Sequence, residues 1–292
     1  MKTKIQFMRH YKAFLAVAAA FVLTSVSLVL VRGFNLGIDF TGGNMLQLEF
    51  PEKVKVGDVR SAMSTVGYST AVIQSYSDTG VIIRLQGGSD LSPDQLRDKI
   101  VGAVDALHQG SVKLVNFEMV GPTVGSELRN QAIFASAIAL LGILIYITFR
   151  FRFRFALVSV IALIHDTLLT LGLFSLLHVE IGMTFIAAIL TTIGYSLNNT
   201  IIILDRVREN WPKLNRLGME SLMDLSINGT LGRTINTSLT TFLPVLAFYI
   251  WGGSTLAGFS LAIMTGIVVG GYSSVCVTTS ILYLWQLRSP EK

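Results

Sequence analysis

The chain has 292 residues, of which 51% are hydrophobic and only 14% charged, and its mean hydropathy is +0.60. A soluble domain normally carries about 25% charged residues, so this deficit excludes an ordinary globular protein and indicates a membrane protein. The net charge of +5 does not indicate nucleic-acid binding, because the basic residues lie in short runs between apolar segments, as cytoplasmic anchors do. The single cysteine, Cys276, excludes an internal disulfide and a cysteine-based metal site.

The first apolar run, residues 13–31, follows four basic residues and imitates a secretory signal. At 19 residues it is longer than the usual signal core, and no small-x-small cleavage site follows it, so we interpret it as a retained membrane anchor. Five more apolar segments are long enough to cross a bilayer, which needs about 20 helical residues, once tilt and frayed ends are allowed for. These segments cover residues 132–149, 155–177, 181–204, 231–251 and 256–284.

Lysine and arginine in the short loops predict the orientation, since cytoplasmic loops carry an excess of them. The loops at 150–154 and 205–216 are basic, whereas the turns at 178–180 and 252–255 contain no Lys or Arg. We therefore place both termini in the cytoplasm and the segment between the first two spans outside. The basic loop residues are Arg150, Arg152, Arg154, Arg206, Arg208, Lys213 and Arg216.

The outer segment has an ordinary soluble composition and alternates between short elements. The patterns predict strands at 45–50, 70–76, 81–85 and 112–120, and helices at 56–66 and 92–107. Ser92 suits the N-cap of the second helix, and Pro93 suits its first position. The order β-α-β-β-α-β is typical of a ferredoxin-like α+β domain, an antiparallel sheet with two helices on one face. We expect an N-terminus and first span at 1–34, this domain at 35–121, and spans two to six at 122–292.

Polar groups inside membrane helices are costly, so they usually face the protein interior and often mark function. His165 and Asp166 lie near the middle of the third span. Asp166 is therefore a candidate proton or ion relay. A structural hydrogen bond to a neighbouring helix is an equally good interpretation.

The fourth span contains a second polar cluster. Tyr195 and Asn199 are four residues apart and share one helical face. The residues alone favour interhelical hydrogen bonding over a relay. The cluster consists of Tyr195, Ser196, Asn198, Asn199 and Thr200.

Arg233 opens the fifth span, about one turn inside the cytoplasmic edge and at roughly the depth of Asn199. Thr237, Thr240 and Thr241 follow on or near one helical face. Arg233 is either a functional cation or an arginine that snorkels to the headgroups, and the sequence leaves both open.

No remaining motif indicates an enzyme. A Walker loop, an HExxH sequence and a nucleophile elbow are all missing, which argues against a self-contained ATPase or protease. Gly266 and Gly270 form a GxxxG pattern, which we interpret as helix packing. We predict no catalytic residue, no cofactor and no metal site.

Four motifs together resemble the SecF proteins of the SecD/SecF family, which is related to the RND-type transporters. They are GIDFTGG at 37–43, VGPTVGSE at 120–127, YSLN with DRVREN at 195–198 and 205–210, and RTINTSLTT at 233–241. They occur in the order and spacing of the family, whereas GIDFTGG alone would also fit SecD, whose external region is far larger. The family motifs include Asp39, Gly42, Gly43, Asp205 and Arg206.

The resemblance implies an accessory subunit of the Sec translocase in the bacterial inner membrane. Its partners would be SecD, the SecYEG translocon, unfolded preprotein and the lipid bilayer, with YajC as a further candidate and no nucleic acid. With SecD it would use the proton or sodium gradient to promote preprotein export. The alternatives are an RND-type small-molecule exporter, against which the single membrane unit and short outer segment argue, and a purely structural scaffold.

The chain departs from the family pattern at position 199. The family pattern is Tyr-Ser-Leu-Asn-Asp-Thr, and Asn199 stands where the aspartate belongs. The resemblance makes that aspartate a proton-relay group working with the arginine that matches Arg233. Asn199 is either a substitution that imitates the protonated aspartate, or a natural variant whose coupling lies at Asp166 or on the partner. We favour the substitution, because the rest of the motif matches.

Overall fold

A computed structural model describes residues 5–86, 91–106, 111–150 and 153–289 of the chain. Arg152 and the predicted helix end at residue 107 lie outside the described residues. The chain divides into two compact units. One is Leu36–Phe134, and the other consists of Met1–Asn35 and Ala135–Lys292.

The smaller unit is built on a four-stranded sheet whose strand order is β3-β4-β2-β5. Strand β2 pairs antiparallel with both β4 and β5, and β3 pairs antiparallel with β4. Its elements, after β1 (Asn35–Leu36), are α2 (Ile38–Thr41), β2 (Gly43–Glu49), α3 (Val56–Thr65), β3 (Val72–Ser75), β4 (Gly80–Gln86), α4 (Pro93–Asp105) and β5 (Lys113–Val120).

The core of this unit joins the sheet to its two longer helices. Fully buried Leu46 and Ile83 of the sheet belong to one apolar cluster with Met63 of α3 and Ile100 of α4. The predicted N-cap of α4 is confirmed: Ser92 Oγ accepts from the Gln95 N–H, and Gln95 Oε1 accepts from the Ser92 N–H, forming a capping box.

Two glycines of the GIDFTGG motif are required by close backbone approach. Gly42 and Gly43 have φ values of +68° and +135°, which L side chains rarely adopt. A Cβ on Gly43 would lie 2.1 Å from the Leu85 carbonyl oxygen, and one on Gly42 would lie 2.7 Å from Pro122 Cα. Pro122 begins helix α5 (Pro122–Arg150) within the VGPTVGSE motif. The two motifs therefore pack against each other within this unit.

The larger unit is helical. Its elements are α1 (Tyr11–Arg32), the C-terminal part of α5, α6 (Phe153–Leu177), β6 (Glu180–Ile181), α7 (Met183–Asn210), α8 (Leu214–Trp251), α9 (Gly253–Tyr272), a π-helical segment (Ser273–Thr278) and α10 (Thr279–Arg288). Helix α8 is continuous through Arg233, as the sequence predicts, apart from a break at Gly218.

Five helical stretches among the described residues are long and apolar enough to cross a membrane, which makes this a multi-pass membrane protein. The fourth stretch is 69 residues long and contains both α7 and α8. The stretches are Met8–Arg32, Pro122–Arg150, Phe153–Leu177, Met183–Trp251 and Leu256–Arg288.

Small residues let the helices of the larger unit approach closely. A Cβ on Gly266 would lie 2.4 Å from Thr192 Cβ, and one on Gly270 would lie 2.8 Å from Ser196 Cβ. The packing interpretation of the GxxxG pattern is thus confirmed, and its partner is α7. Gly172 of α6 meets Ser25 of α1 in the same way.

Candidate functional site

Asp166 is the centre of a buried polar cluster in the larger unit. Its side chain accepts hydrogen bonds from two helices at one oxygen: Ser196 Oγ of α7 donates to Oδ2 at 2.5 Å, and Ser273 Oγ donates to the same atom at 2.8 Å. The other oxygen, Oδ1, lies 2.9 Å from His165 Nδ1. Asp166 and His165 are only 6% and 5% exposed. The carboxylate therefore joins α6 to α7 and to the π-helical segment.

The local sequence explains why two serines reach one carboxylate. Because Gly270 has no Cβ, α9 approaches α7 at Ser196, and Ser273 follows three residues later, at the start of the π-helical segment. Ser274, the next residue, donates to the Gly270 carbonyl and meets Thr200 Oγ1 at 2.9 Å. A π-helical turn is rare and frequently occurs at functional sites.

The polar cluster predicted in the fourth span divides into different environments. Asn199 is 0% exposed, and neither its Oδ1 nor its Nδ2 atom has a hydrogen-bond partner among the described residues. The hydroxyl of Tyr195 is likewise buried without a partner there, whereas Asn198 is exposed. Two members make the interhelical hydrogen bonds expected of such a cluster: Ser196 bonds to Asp166, and Thr200 bonds to Ser274.

Arg233 lines a cavity of about 530 Å³ between the C-terminal part of α7 and the middle of α8, together with Asp205, Arg206 and Glu209. Arg206 pairs with Glu209 at 2.6 Å, and Arg208 pairs with Asp205 at 2.7 Å. Arg233 makes no hydrogen bond or ion pair with any residue that the structure describes. Asn199 is not among the residues that line this cavity.

The threonines after Arg233 do not extend a polar network from it. Thr237 Oγ1 donates to the backbone carbonyls of Arg233 and Thr234. Thr240 and Thr241 bond one turn back along α8 in the same manner. Their hydroxyls are therefore satisfied within the helix itself.

The remaining motif residues lie elsewhere in the fold. Asp39 is in the first turn of α2, next to Gly42 and Gly43 in the smaller unit, where the two glycines serve close packing. The membrane candidates therefore fall into three groups: the Asp166 cluster, the buried Asn199, and the cavity with Arg233.

Comparison with known protein families shows to which family the chain belongs. The family model described as "Protein export membrane protein SecD/SecF, C-terminal" matches residues 100–288, and the SecD/SecF GG motif matches residues 27–50. The chain belongs to the SecD/SecF family. The resemblance predicted from the four motifs is confirmed.

Individual SecD/SecF relatives are similar over nearly the whole chain. The protein translocase subunit SecF of Vibrio alginolyticus is 38% identical over 95% of this chain and 88% of its own length. That of Desulfurispirillum indicum is 41% identical, with 94% and 90% covered. The crystal structure of SecDF, a translocon-associated membrane protein from Thermus thermophilus, is 36% identical with a TM-score of 0.88, covering 98% of this chain. The chain spans 39% of the length of that SecDF chain.

Sequence reasoning identified Asp166 and missed one of its partners. Ser196 belongs to the predicted polar cluster, whereas Ser273, three residues after the GxxxG pattern, is not among the predicted site residues. A polar small residue one turn beyond a close helix contact was the signal available, since such a residue faces the same neighbouring helix.

Proposed function

We propose that this chain is an accessory subunit of the Sec protein translocase that acts with a SecD partner and the SecYEG translocon to promote preprotein export. It is a transport subunit and not an enzyme. The family membership and the names of its relatives, protein translocase subunit SecF, support this assignment. YajC remains a further candidate partner.

The proposal includes an architecture. The 69-residue stretch holds two spans, one in α7 and one in the part of α8 that follows the break at Gly218, which brings the total to six. Six spans and the basic loops place both termini in the cytoplasm of a bacterial inner membrane and residues 35–121 on the periplasmic side. The strand order β3-β4-β2-β5 supports a ferredoxin-like fold for that domain.

The proposed energy source is the proton or sodium gradient. One charge that crosses the membrane releases about 2.3 kcal/mol per 100 mV. This free energy can move the periplasmic domain only if ion binding favours one of two conformations over the other. The subunit therefore needs an ionisable group inside the membrane helices.

We also propose that this chain has lost the coupling of export to the ion gradient at position 199, because Asn199 cannot ionise. Its amide is fully buried and unbonded among the described residues, whereas an amide can make up to four hydrogen bonds. The position thus already holds a buried polar side chain, as it would with the aspartate of the family pattern. The resemblance pairs that aspartate with Arg233, which has no counter-ion within the described residues, although Asn199 does not line the cavity of Arg233.

The test is gradient-dependent release of a preprotein from vesicles that contain SecYEG and SecD. The chain is compared with Asn199→Asp, and a matched Asn198→Asp control places the same charge on the exposed neighbour. We expect Asn199→Asp to raise release severalfold and to make it sensitive to a protonophore, and Asn198→Asp to change neither.

Equal responses of the chain and Asn199→Asp would contradict coupling at position 199 and leave the subunit assignment intact. The assignment itself is checked by co-purification with SecD and SecYEG. A chain that purifies alone, and whose deletion changes drug susceptibility without a secretion defect, would refute it.

A further inference from the structure

The side chains of His165 and Asp166 form an ionisable site within the membrane helices. Asp166 is the only Asp, Glu, Lys or Arg in the sequence from 155 to 177 and from 183 to 204, the apolar parts of α6 and α7. The carboxylate and the imidazole lie side by side, with 2.9 Å between Asp166 Oδ1 and His165 Nδ1. No part of the coupling proposed for position 199 uses this pair.

The hydrogen bonds identify which position in the pair is free to accept a proton. Two serine hydroxyls donate to Asp166 Oδ2, so that oxygen acts as an acceptor. In the tautomer that carries the proton on Nδ1, this N–H donates to Oδ1, and His165 Nε2 is the unprotonated nitrogen of a neutral ring. Nε2 is buried and has no hydrogen-bond partner among the described residues.

The charge of the pair depends on one proton. With a neutral ring and an ionised carboxylate, the pair carries one negative charge inside apolar helices. No Lys or Arg among the described residues contacts it. A buried charge without a counter-ion is costly, and one added proton, on Nε2 or shared with the carboxylate, makes the pair neutral. Proton binding thus removes the least favourable feature of the site.

We infer that His165 and Asp166 together form a proton-binding site of this chain, and that its occupancy is transmitted to α7 and the π-helical segment through Ser196 and Ser273. Its use in export rests on the proposed function. The proton binding itself does not.

Transmission follows from the geometry of the two serines. Gly270 lets α9 pack closely against Ser196, and both serine hydroxyls can respond to a change at Oδ2 by rotating about their own side-chain bonds. Ser273 has the Gly270 carbonyl as an alternative acceptor at 3.3 Å. When the charge on the carboxylate is lost, the Ser273 hydroxyl loses its strongest acceptor and can turn to that carbonyl.

The other ionisable groups around the pair are few. On α9, Tyr272 has its ring centroid 6.2 Å from that of His165, and its hydroxyl donates to the Phe14 carbonyl of α1. The π-helical segment contributes Cys276, α7 contributes Tyr195, and α10 contributes Tyr283, whose ring meets that of Tyr11 edge to face. The sequence of α1 from Phe14 to Ser25 contains no ionisable side chain.

The competing explanation is that the cluster is purely structural, with a fixed protonation state. Nuclear magnetic resonance of the full chain in lipid nanodiscs, with ¹⁵N-labelled histidine and ¹³C-labelled aspartate, separates the two. The chain has four histidines, so the His165 ring signals can be assigned by His165→Gln. We expect the His165 ¹⁵N and Asp166 ¹³Cγ signals to change together in one step across the pH range in which the chain stays folded.

Variants make the measurement specific. Asp166→Asn should abolish the His165 step, and His165→Gln should abolish the Asp166 step. Ser196→Ala and Ser273→Ala should displace the midpoint, because each removes a donor to Oδ2. Thr170→Val is the matched control: Thr170 is buried on the same helix and donates to the Asp166 backbone carbonyl, so the midpoint should stay in place.

Three results would overturn the inference. The signals could show no step in this pH range, the step could persist in Asp166→Asn, or sodium at constant pH could replace the proton in shifting them. The titration needs neither SecD nor preprotein. A failed titration therefore leaves the export assignment standing, and a failed export assay leaves the titration result standing.

Discussion

Asp166 and Asn199 are both buried polar residues of the membrane helices, yet their surroundings are opposite. Asp166 has a hydrogen-bonding partner for each carboxylate oxygen, supplied by three side chains. Asn199 has no partner at either amide atom among the described residues. Burial alone does not distinguish the two positions. The hydrogen bonds distinguish them. Asp166 is fully partnered within the described residues, whereas Asn199 needs either a partner from elsewhere or a different side chain at position 199.

The largest effect should come from Asp166→Leu. The substitution leaves the His165 Nδ1–H and two serine hydroxyls without their acceptor, so we expect the free energy of unfolding to fall by about 3 kcal/mol, as when one member of a buried pair is removed. Denaturation by SDS in mixed micelles measures this change. Unchanged or increased stability would mean that the burial cost of the carboxylate outweighs its hydrogen bonds.

Removing one serine donor should have a smaller effect. Ser196→Ala and Ser273→Ala each take one hydrogen bond from a charged acceptor, and we expect each to lower the free energy of unfolding by about 1.5 kcal/mol. Because both donors share Oδ2, the double variant should deviate from the sum of the single variants. Additive losses in the double-mutant cycle would show that the two bonds are independent.

Asn199→Leu should behave differently from Asp166→Leu. The leucine removes two buried polar atoms that have no partners and keeps a similar volume. We expect the free energy of unfolding of the isolated chain to stay within about 1 kcal/mol of its original value, with the change toward greater stability. The same denaturation assay measures it. A loss as large as that of Asp166→Leu would show that the Asn199 amide is satisfied in the folded chain, for example by bound water.

Much of the architecture could be predicted from local patterns. Periodicity and turn residues placed β4 and β5 within one residue of their observed bounds, and Ser92 predicted the capping box. Ile181, predicted as the start of the fourth span, lies in β6, because apolar character continues across the turn before α7 begins at Met183. Hydropathy measures composition and does not detect where the backbone changes conformation.

The arrangement of the polar sites could not be predicted in the same way. That Ser196 and Ser273 share one carboxylate oxygen depends on the approach of α9 to α7, a contact between residues 77 positions apart in sequence. Asn199 and Arg233 are predicted at the same depth in the membrane. Equal depth does not by itself bring two side chains into contact, because each must also lie on the helix face that points to the other helix. Arg233 lines the cavity with Asp205 and Arg206, and Asn199 does not.

Asp224 offers a third carboxylate for this comparison, outside the apolar part of α8. It accepts a hydrogen bond from the Met8 N–H at 2.9 Å, and nearby Asn228 exchanges two hydrogen bonds with the backbone of Ile5. Its acceptor is thus satisfied by backbone groups in the turn just before α1, where the positive end of the helix favours an anion. Burial nevertheless raises the pKa of Asp224, and the hydrogen bonds from the backbone of Phe7 and Met8 oppose that increase.

The raised pKa of Asp224 predicts a small dependence of folding stability on pH, the smallest effect expected here, and it fixes the direction of that dependence. Because the folded chain holds the Asp224 proton to a higher pH than the unfolded chain, its contribution to stability is greatest below the ordinary aspartate range and declines as the pH rises through the raised pKa. Asp224→Asn keeps an oxygen acceptor for the Met8 N–H and removes the charge. The variant should match the original chain in acid and become more stable than it toward neutral pH, by less than about 1 kcal/mol since the side chain is only half-buried. Melting temperatures of both proteins across this range measure the difference. If Asp224→Asn is less stable than the original chain at neutral pH, the attraction between the Asp224 carboxylate and the N-terminal end of α1 outweighs the cost of burying that carboxylate.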